Sequence, residues 1–280
     1  MNYSVLGLNG GGMRGALQVG ALQVISEKYN EKYLHNIFTD GIYGISIGAI
    51  IGTMVAFEFS IDEFELLTQK LSNIEQTFKP LRLQTIVDFA ETKGLDDGQQ
   101  IYELMKETFA LKGLNFEDLT IGDASVPLHI LASDLTNLQV VIFGKSIRLW
   151  DALRASFSLP VVFTPHTVDN RLCVDGAILC ENIMNVVPVH LRPQTLLLLC
   201  TRTPKADIKD YLFIISNCRS LKQVKKIQVK YPHNACCLIE DNTQLFTFWN
   251  TAELITYLID VGRSRATHFL DSLPSAEIMN

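Results

Sequence analysis

The chain has no apolar run of the roughly 18 residues that would cross a bilayer, and Met1 to Leu6 carry neither a basic stretch nor a long apolar one. Neither a membrane span nor a signal peptide is expected, and a cytoplasmic location follows as the expectation. There is no CxxC pair. The six cysteines, Cys173, Cys180, Cys200, Cys218, Cys236 and Cys237, lie mostly in apolar surroundings and read as reduced core thiols. Positive charge is not in excess: a net charge of −6 leaves no global attraction to nucleic acid or anionic lipid. Nucleic acid is therefore not expected as a partner, and contact with membranes would be peripheral and local. No HExxH, no paired Cys/His spacing and no calcium-loop pattern around Asp96-Asp97-Gly98 occurs. No metal and no cofactor are expected, and the chemistry is read as calcium-independent. Repeats, low-complexity tracts and a clear linker are also missing. Residues 1–280 are accordingly read as a single domain, with 48% hydrophobic residues to build its core.

What is present clusters in three short stretches. The first follows a short apolar strand at 3–8: Asn9-Gly10-Gly11-Gly12-Met13-Arg14-Gly15, then a largely apolar helix ending near Lys28. A glycine loop between strand and helix can point backbone N–H groups at an anion. Two anions fit, a pyrophosphate or the oxyanion of an acyl transfer. Gly10, Gly12 and Gly15 match a dinucleotide fingerprint, but that site needs an acid at the end of the second strand. Asp40 falls before the next apparent strand, at 42–45, and so at its wrong end.

At the right end stands Gly44-Ile45-Ser46-Ile47-Gly48. It reads as a turn from buried strand to buried helix, with Ser46 in strained backbone, its hydroxyl pushed out, and Gly44 and Gly48 where the two backbones nearly touch. The third stretch, Asp175-Gly176-Ala177, ends a short strand at 172–174 and could aim a carboxylate into a cleft; an ordinary Asp-Gly turn reads the same way.

The remaining periodicities predict amphipathic helices over 61–73 and 99–109, adjacent strands at 128–132 and 139–143, and a helix over 147–156 leading to a rigid wall between Pro160 and Pro165. A buried strand at 195–200, a helix over 207–217, a strand at 236–239 and a closing helix over 251–269 complete the order. Residues 78–97 read as a loop or short helices, with 78–98 a candidate lid. Arg219, Lys222, Lys225, Lys226 and Lys230 form a basic cluster, read as a solvated face ahead of a headgroup contact. None of the six histidines stands beside an acid that marks it for catalysis; His166, after the proline wall, is the first to check.

Taken in order, the three stretches resemble the patatin-like phospholipase family, whose signatures are a GGGxR/KG loop, a GxSxG elbow and a DG[AG] turn. The resemblance implies an α/β fold, a three-layer α/β/α sandwich with a mostly parallel central sheet. It implies Ser46 as nucleophile, Asp175 as its partner, and an oxyanion hole from Gly10, Gly11, Gly12, Met13, Arg14 and Gly15. The implied activity is a serine-dependent lipid acyl hydrolase of phospholipase A or lysophospholipase type acting through an acyl-serine. Its substrate would be a phospholipid or other fatty-acyl ester. An acyltransferase on the same dyad is the alternative, and a dinucleotide-binding oxidoreductase a more distant one. Leu159, Val161, Val162 and Phe163 are candidates to line an acyl channel, or to pack as core. A carboxylate of ordinary pKa, about 3.9, is a weak base for a serine, so the dyad needs burial around Asp175.

Overall fold

The computed structural model describes residues 3–64, 67, 70, 91–203, 211–241 and 252–274. Ten strands are described: β1 Val5–Leu8, β2 Gly41–Ile45, β3 Gly94–Asp96, β4 Leu128–Asp134, β5 Gln139–Ile142, β6 Val161–Phe163, β7 His166–Val168, β8 Arg171–Asp175, β9 Thr195–Arg202 and β10 Ala235–Glu240. The longer helices are α1 Gly15–Tyr29, α2 Ile47–Ala56, α3 Gln99–Ala110, α4 Leu149–Ser156, α5 Tyr211–Lys230 and α6 Ala252–Asp271.

The main sheet runs β10-β9-β1-β2-β4 with every pair parallel, then β8 and β7 antiparallel, while β5 pairs antiparallel with β4. Its central strands are apolar throughout because both faces are covered. β9 sorts its side chains strictly by parity. Leu196, Leu198 and Cys200 join a core with residues of α1, α2 and α6, and Leu197 and Leu199 join a second core with Val224 and Ile227 of α5. Helices thus sandwich the sheet, giving a three-layer α/β/α arrangement. α2 is buried at nine of its ten positions, as expected of a helix apolar on every side. Each such Ile or Val contributes about 1.5–3 kcal/mol by leaving water.

Three readings differ from the sequence expectation. The helix expected over 207–217 is described from Tyr211 and continues to Lys230, so the basic cluster lies on it. Residues 94–96, read as loop or short helix, form β3 and pair with β6. β7 is an added strand that makes a hairpin with β8 through Asp169 and Asn170, both at positive φ (48° and 61°). The candidate lid falls mostly outside the described residues, as does the end of the helix expected over 61–73. The described cysteines Cys173, Cys180, Cys200, Cys236 and Cys237 are free thiols.

Candidate active site

The site is built on one edge of β4. Along a strand, the backbone groups of successive residues face opposite edges. Ile42 N–H donates to Pro127 O and Leu135 N–H to Leu172 O, so odd-numbered residues of this stretch face both β2 and β8. Phe143 N–H donates to Ile130 O, which puts β5 on the other edge. β2 therefore pairs along the first half of β4, ending with Ile45 opposite Leu131, while β8 descends along the second half and ends with Asp175 opposite Ala132. The two strands approach end to end. The residue that follows one, Ser46, comes next to the last residue of the other, Asp175, close enough to lower the pKa of its carboxyl.

Where the strands leave β4 unpaired, Ser156 fills the gap. Its hydroxyl accepts from Ser46 N–H at 2.9 Å and donates to Leu131 O at 2.6 Å. Ser46 itself sits at φ 56°, ψ −127°, a conformation that costs a non-glycine residue about 1–3 kcal/mol. The turn is that tight because α2 starts directly over the end of β1: a Cβ on Gly48 would stand 2.4 Å from Leu8 O, so only glycine fits.

The glycine loop reaches the same level from β1. Leu8 is in register with Gly44, so Gly10 comes level with Ser46, and a Cβ on Gly10 would lie 3.2 Å from Ser46 Cβ. Gly12 is at φ 55°, a left-handed turn that suits glycine, and Gly12–Arg14 form a short 3-10 turn leading into α1 at Gly15. Met13 is exposed. The loop is held from behind by Asn9, whose carboxamide pairs with one peptide of β9: Cys200 N–H donates to Asn9 Oδ1 at 2.8 Å and Asn9 Nδ2 to Cys200 O at 3.1 Å. Gln18, wholly buried on α1, donates to Asn9 O at 2.9 Å.

Asp175 is 3% exposed. Burial raises its carboxyl from the ordinary 3.8 to about 6, against the opposing pull of a hydrogen bond from Ala177 N–H, at 2.9 Å, and of Ser46. Its backbone is fixed too. Asp175 N–H donates to Ser158 O at 2.9 Å, and Ser133 Oγ donates to Asp175 O at 2.9 Å.

Arg154, 2% exposed, ties the wall together. Its guanidinium donates to Asp97 O (2.8 Å), Ser158 Oγ (2.6 Å), Thr164 O (2.8 Å) and Thr164 Oγ1 (2.6 Å), and lies against the rings of Phe157 and Phe163. Burial lowers its pKa to about 10, opposed by Asp96 and Asp97, and it stays charged at neutral pH.

His166 has an acidic neighbour that sequence reading did not identify: its Nε2 lies 3.1 Å from Asp151 Oδ1, and the pair holds β7 against α4. His129 stacks on Tyr43 at 4.2 Å, and burial lowers its pKa. Asp40 lies at the amino end of β2, the opposite end of the sheet from the glycine loop. Among the described residues no group of three or more His, Cys, Asp or Glu is placed to hold a metal ion.

Comparison with known proteins identifies the family. The family model for patatin-like phospholipase matches residues 6–191. The chain belongs to the patatin-like phospholipase family. YqhO of Bacillus subtilis is 25% identical over 94% of this chain and 96% of its own length. Calcium-independent phospholipase A2-gamma of Homo sapiens is 26% identical over 64% of this chain, which spans only 24% of that larger protein. VipD from Legionella pneumophila shares the fold, with a TM-score of 0.57 over 97% of this chain and 67% of that one at 14% identity. The glycine loop, the Ser46 turn and the Asp175 turn stand at one level of the sheet. Ser156, Arg154, Ser133 and Gln18 are additions that sequence reading did not single out. Among the described residues no helix is long and apolar enough to cross a membrane.

Proposed function

We propose that this chain hydrolyses fatty-acyl esters of the phospholipid or lysophospholipid kind, with Ser46 as nucleophile and Asp175 as base. The observation that carries the reading is the end-to-end approach of β2 and β8 on β4, which brings Ser46 beside Asp175, a buried carboxyl raised to about 6. At neutral pH that group is ionised, yet basic enough to take a hydroxyl proton. As Ser46 Oγ adds to the ester carbonyl, its proton passes to Asp175. The oxyanion that forms lies beside Gly10, where N–H groups of the 10–15 loop stabilise it. Collapse expels the alcohol, which leaves with the proton from Asp175, and an acyl-serine remains. Water then repeats the cycle, with Asp175 taking its proton, and fatty acid is released. The lipid character of the substrate is supported by membership of the family and by the name of the human relative.

The test is covalent labelling by a fluorophosphonate, together with fatty-acid release from phosphatidylcholine. Both are expected in the native protein and neither in Ser46→Ala. Labelling that survives in Ser46→Ala would move the nucleophile elsewhere.

A further inference from the structure

The glycine loop is fixed at its two ends and open in its middle. Asn9 ties the first end to Cys200, and α2 packs directly on the second, where a Cβ on Gly15 would stand 2.3 Å from Ile47 Cγ1. Between them Gly11 rests on Cys200: a Cβ there would come 2.3 Å from the Sγ. A Cβ on Gly12 would meet nothing within 4 Å, and Met13 is exposed. What can hold residues 12–14 from outside the loop is the side chain of Arg14. It starts beside the same sulfur, since a Cβ on Gly11 would also lie 3.5 Å from Arg14 Cβ.

Two charges are buried one step further along the sheet. β9 points Leu196, Leu198 and Cys200 toward α1, and the next residue of that parity is Arg202. Its register partner on β10 is Glu240, which follows Cys236 and Leu238 on the same face. Successive residues of one face stand about 6.5 Å apart along a strand, so this pair lies just beyond the cysteine that carries the loop. Arg202 is 5% exposed and Glu240 4%. Burial raises the Glu240 carboxyl; Arg14 opposes this most, ahead of Arg202, while Asp241 adds to the rise. Burial raises the Cys200 thiol to about 11, and Arg14 is the charge that opposes it there too. Arg14 Nε and Glu240 Oε1 are each buried without a hydrogen-bond partner among the described residues. Asp241, by contrast, is exposed and paired with Arg265. A buried carboxylate needs an opposite charge, yet joining two strand ends does not call for one: an apolar pair of similar size does that as well or better.

We infer that Glu240 is a positioning residue for the reaction: its buried carboxylate holds the Arg14 guanidinium and thereby fixes residues 12–14 of the oxyanion loop. The effect on the reaction rests on the acyl-ester reading of the site; the tether itself does not. It gives the Arg14 side chain a task away from the ester, as the charged end of a strut between loop and sheet. Without the carboxylate, two guanidiniums would face each other across the end of β9. Arg14, the one carried by a loop, would turn out to solvent and take the 12–14 backbone with it. The competing reading is that Glu240 serves Arg202 alone, as a pair that only joins the ends of β9 and β10.

The experiment is a double-mutant cycle of Arg14→Met and Glu240→Gln. Its readouts are the rate of fluorophosphonate labelling at Ser46, kcat and KM on phosphatidylcholine, and hydrogen exchange of the loop amides. Each single substitution is expected to slow labelling and lower kcat by about tenfold or more, with KM changed less than about twofold. The double variant should be no slower than the slower single, because the second change cuts a strut already cut. Exchange at residues 11–14 should quicken by about tenfold in each variant while that of β9 and β10 stays native. A glutamate that merely joined the strands would do the reverse. Arg14→Lys should recover most of the rate, since charge suffices where Nε makes no hydrogen bond. Should Glu240→Gln not fold, Arg14→Met and Arg14→Lys still decide. The inference is overturned if a single substitution leaves labelling and loop exchange native, if the two losses multiply in the double variant, or if Arg14→Lys is as slow as Arg14→Met. It is equally overturned if Glu240→Gln couples to Arg202→Met and not to Arg14→Met. A native protein that takes no label would sink the hydrolase reading, and loop exchange would still decide the strut.

Discussion

The amide of Ser46 is held by the hydroxyl of Ser156 at 2.9 Å, and that hydroxyl in turn donates to Leu131 O at 2.6 Å. One side chain therefore satisfies two main-chain groups at the point where β2 has ended and β8 has not yet arrived. Ser156→Ala leaves both groups buried and unpaired, which should cost about 1–3 kcal/mol in urea unfolding. It should also free the strained turn, lowering kcat by about ten- to a hundredfold with little change in KM, because a misplaced nucleophile hurts the reaction more than binding. A stable variant with native kcat would show that Ser156 is only filler.

Asp175 predicts opposite pH effects on activity and on stability. In the proposed role of base it must be ionised, so kcat/KM should fall about tenfold per pH unit below about 6 and level off above it. For stability the sign reverses. The folded pKa, about 6, lies above the ordinary 3.8 of the unfolded chain, so the native state holds the proton more tightly. Protonation thus favours the fold below pH about 4, and this contribution is lost as pH rises through 6. Asp175→Asn removes the buried charge. It should therefore be inactive yet more stable than the native protein by about 1–3 kcal/mol at pH 8, with the gain vanishing near pH 4. Melting curves at the two pH values check this, and a variant that is less stable at pH 8 would contradict it.

Arg154 predicts a stability loss that a lysine cannot repair. The guanidinium spans four acceptors on three segments, and a lysine ammonium is a point charge with a different reach. Arg154→Met and Arg154→Lys should each lose about 2–5 kcal/mol, measured by denaturant unfolding. Both should slow labelling of Ser46, since Ser158 links the arginine to the Asp175 backbone. Full rescue by lysine would mean that charge alone matters.

The parts of the site legible in the sequence are those whose geometry is local. Gly44, Ser46 and Gly48 encode a turn within five residues, and Gly10 to Gly15 encode a loop within six. Ser156 was not legible because its partners, Ser46 and Leu131, are far away in the chain, and Arg154 because it joins Asp97, equally distant, to Ser158 and Thr164 of the wall. The β7–β8 hairpin was missed because its two-residue turn is Asp169-Asn170, without the glycine that usually marks left-handed positions. The helix expected to stop at 217 continues because Val224 and Ile227, three residues apart, keep an apolar stripe under the lysines. Charge on one face had hidden burial on the other.

Asn9 carries the last prediction, since the sequence showed only a small polar residue ahead of the glycines. In the fold its carboxamide stands in for a strand residue, pairing with both the N–H and C=O of Cys200, while Gln18 holds its own carbonyl. Asn9→Leu removes both bonds and should cost about 2–4 kcal/mol, at about 1–2 for each unpaired group. It should also slow fluorophosphonate labelling of Ser46, because the 10–15 loop would lose its anchor while the dyad itself stays untouched. Asn9→Asp is the sharper test. A carboxylate still accepts from Cys200 N–H but sets an anion against Cys200 O, whereas the protonated acid restores the donor. The introduced acid should thus have a raised folded pKa, and its variant should match the native protein near pH 4 and fall progressively behind as pH rises through that value. The readouts are the stability difference and the labelling rate, each followed across pH against the native protein; a difference independent of pH would mean that the reciprocal pair with Cys200 does not position the loop.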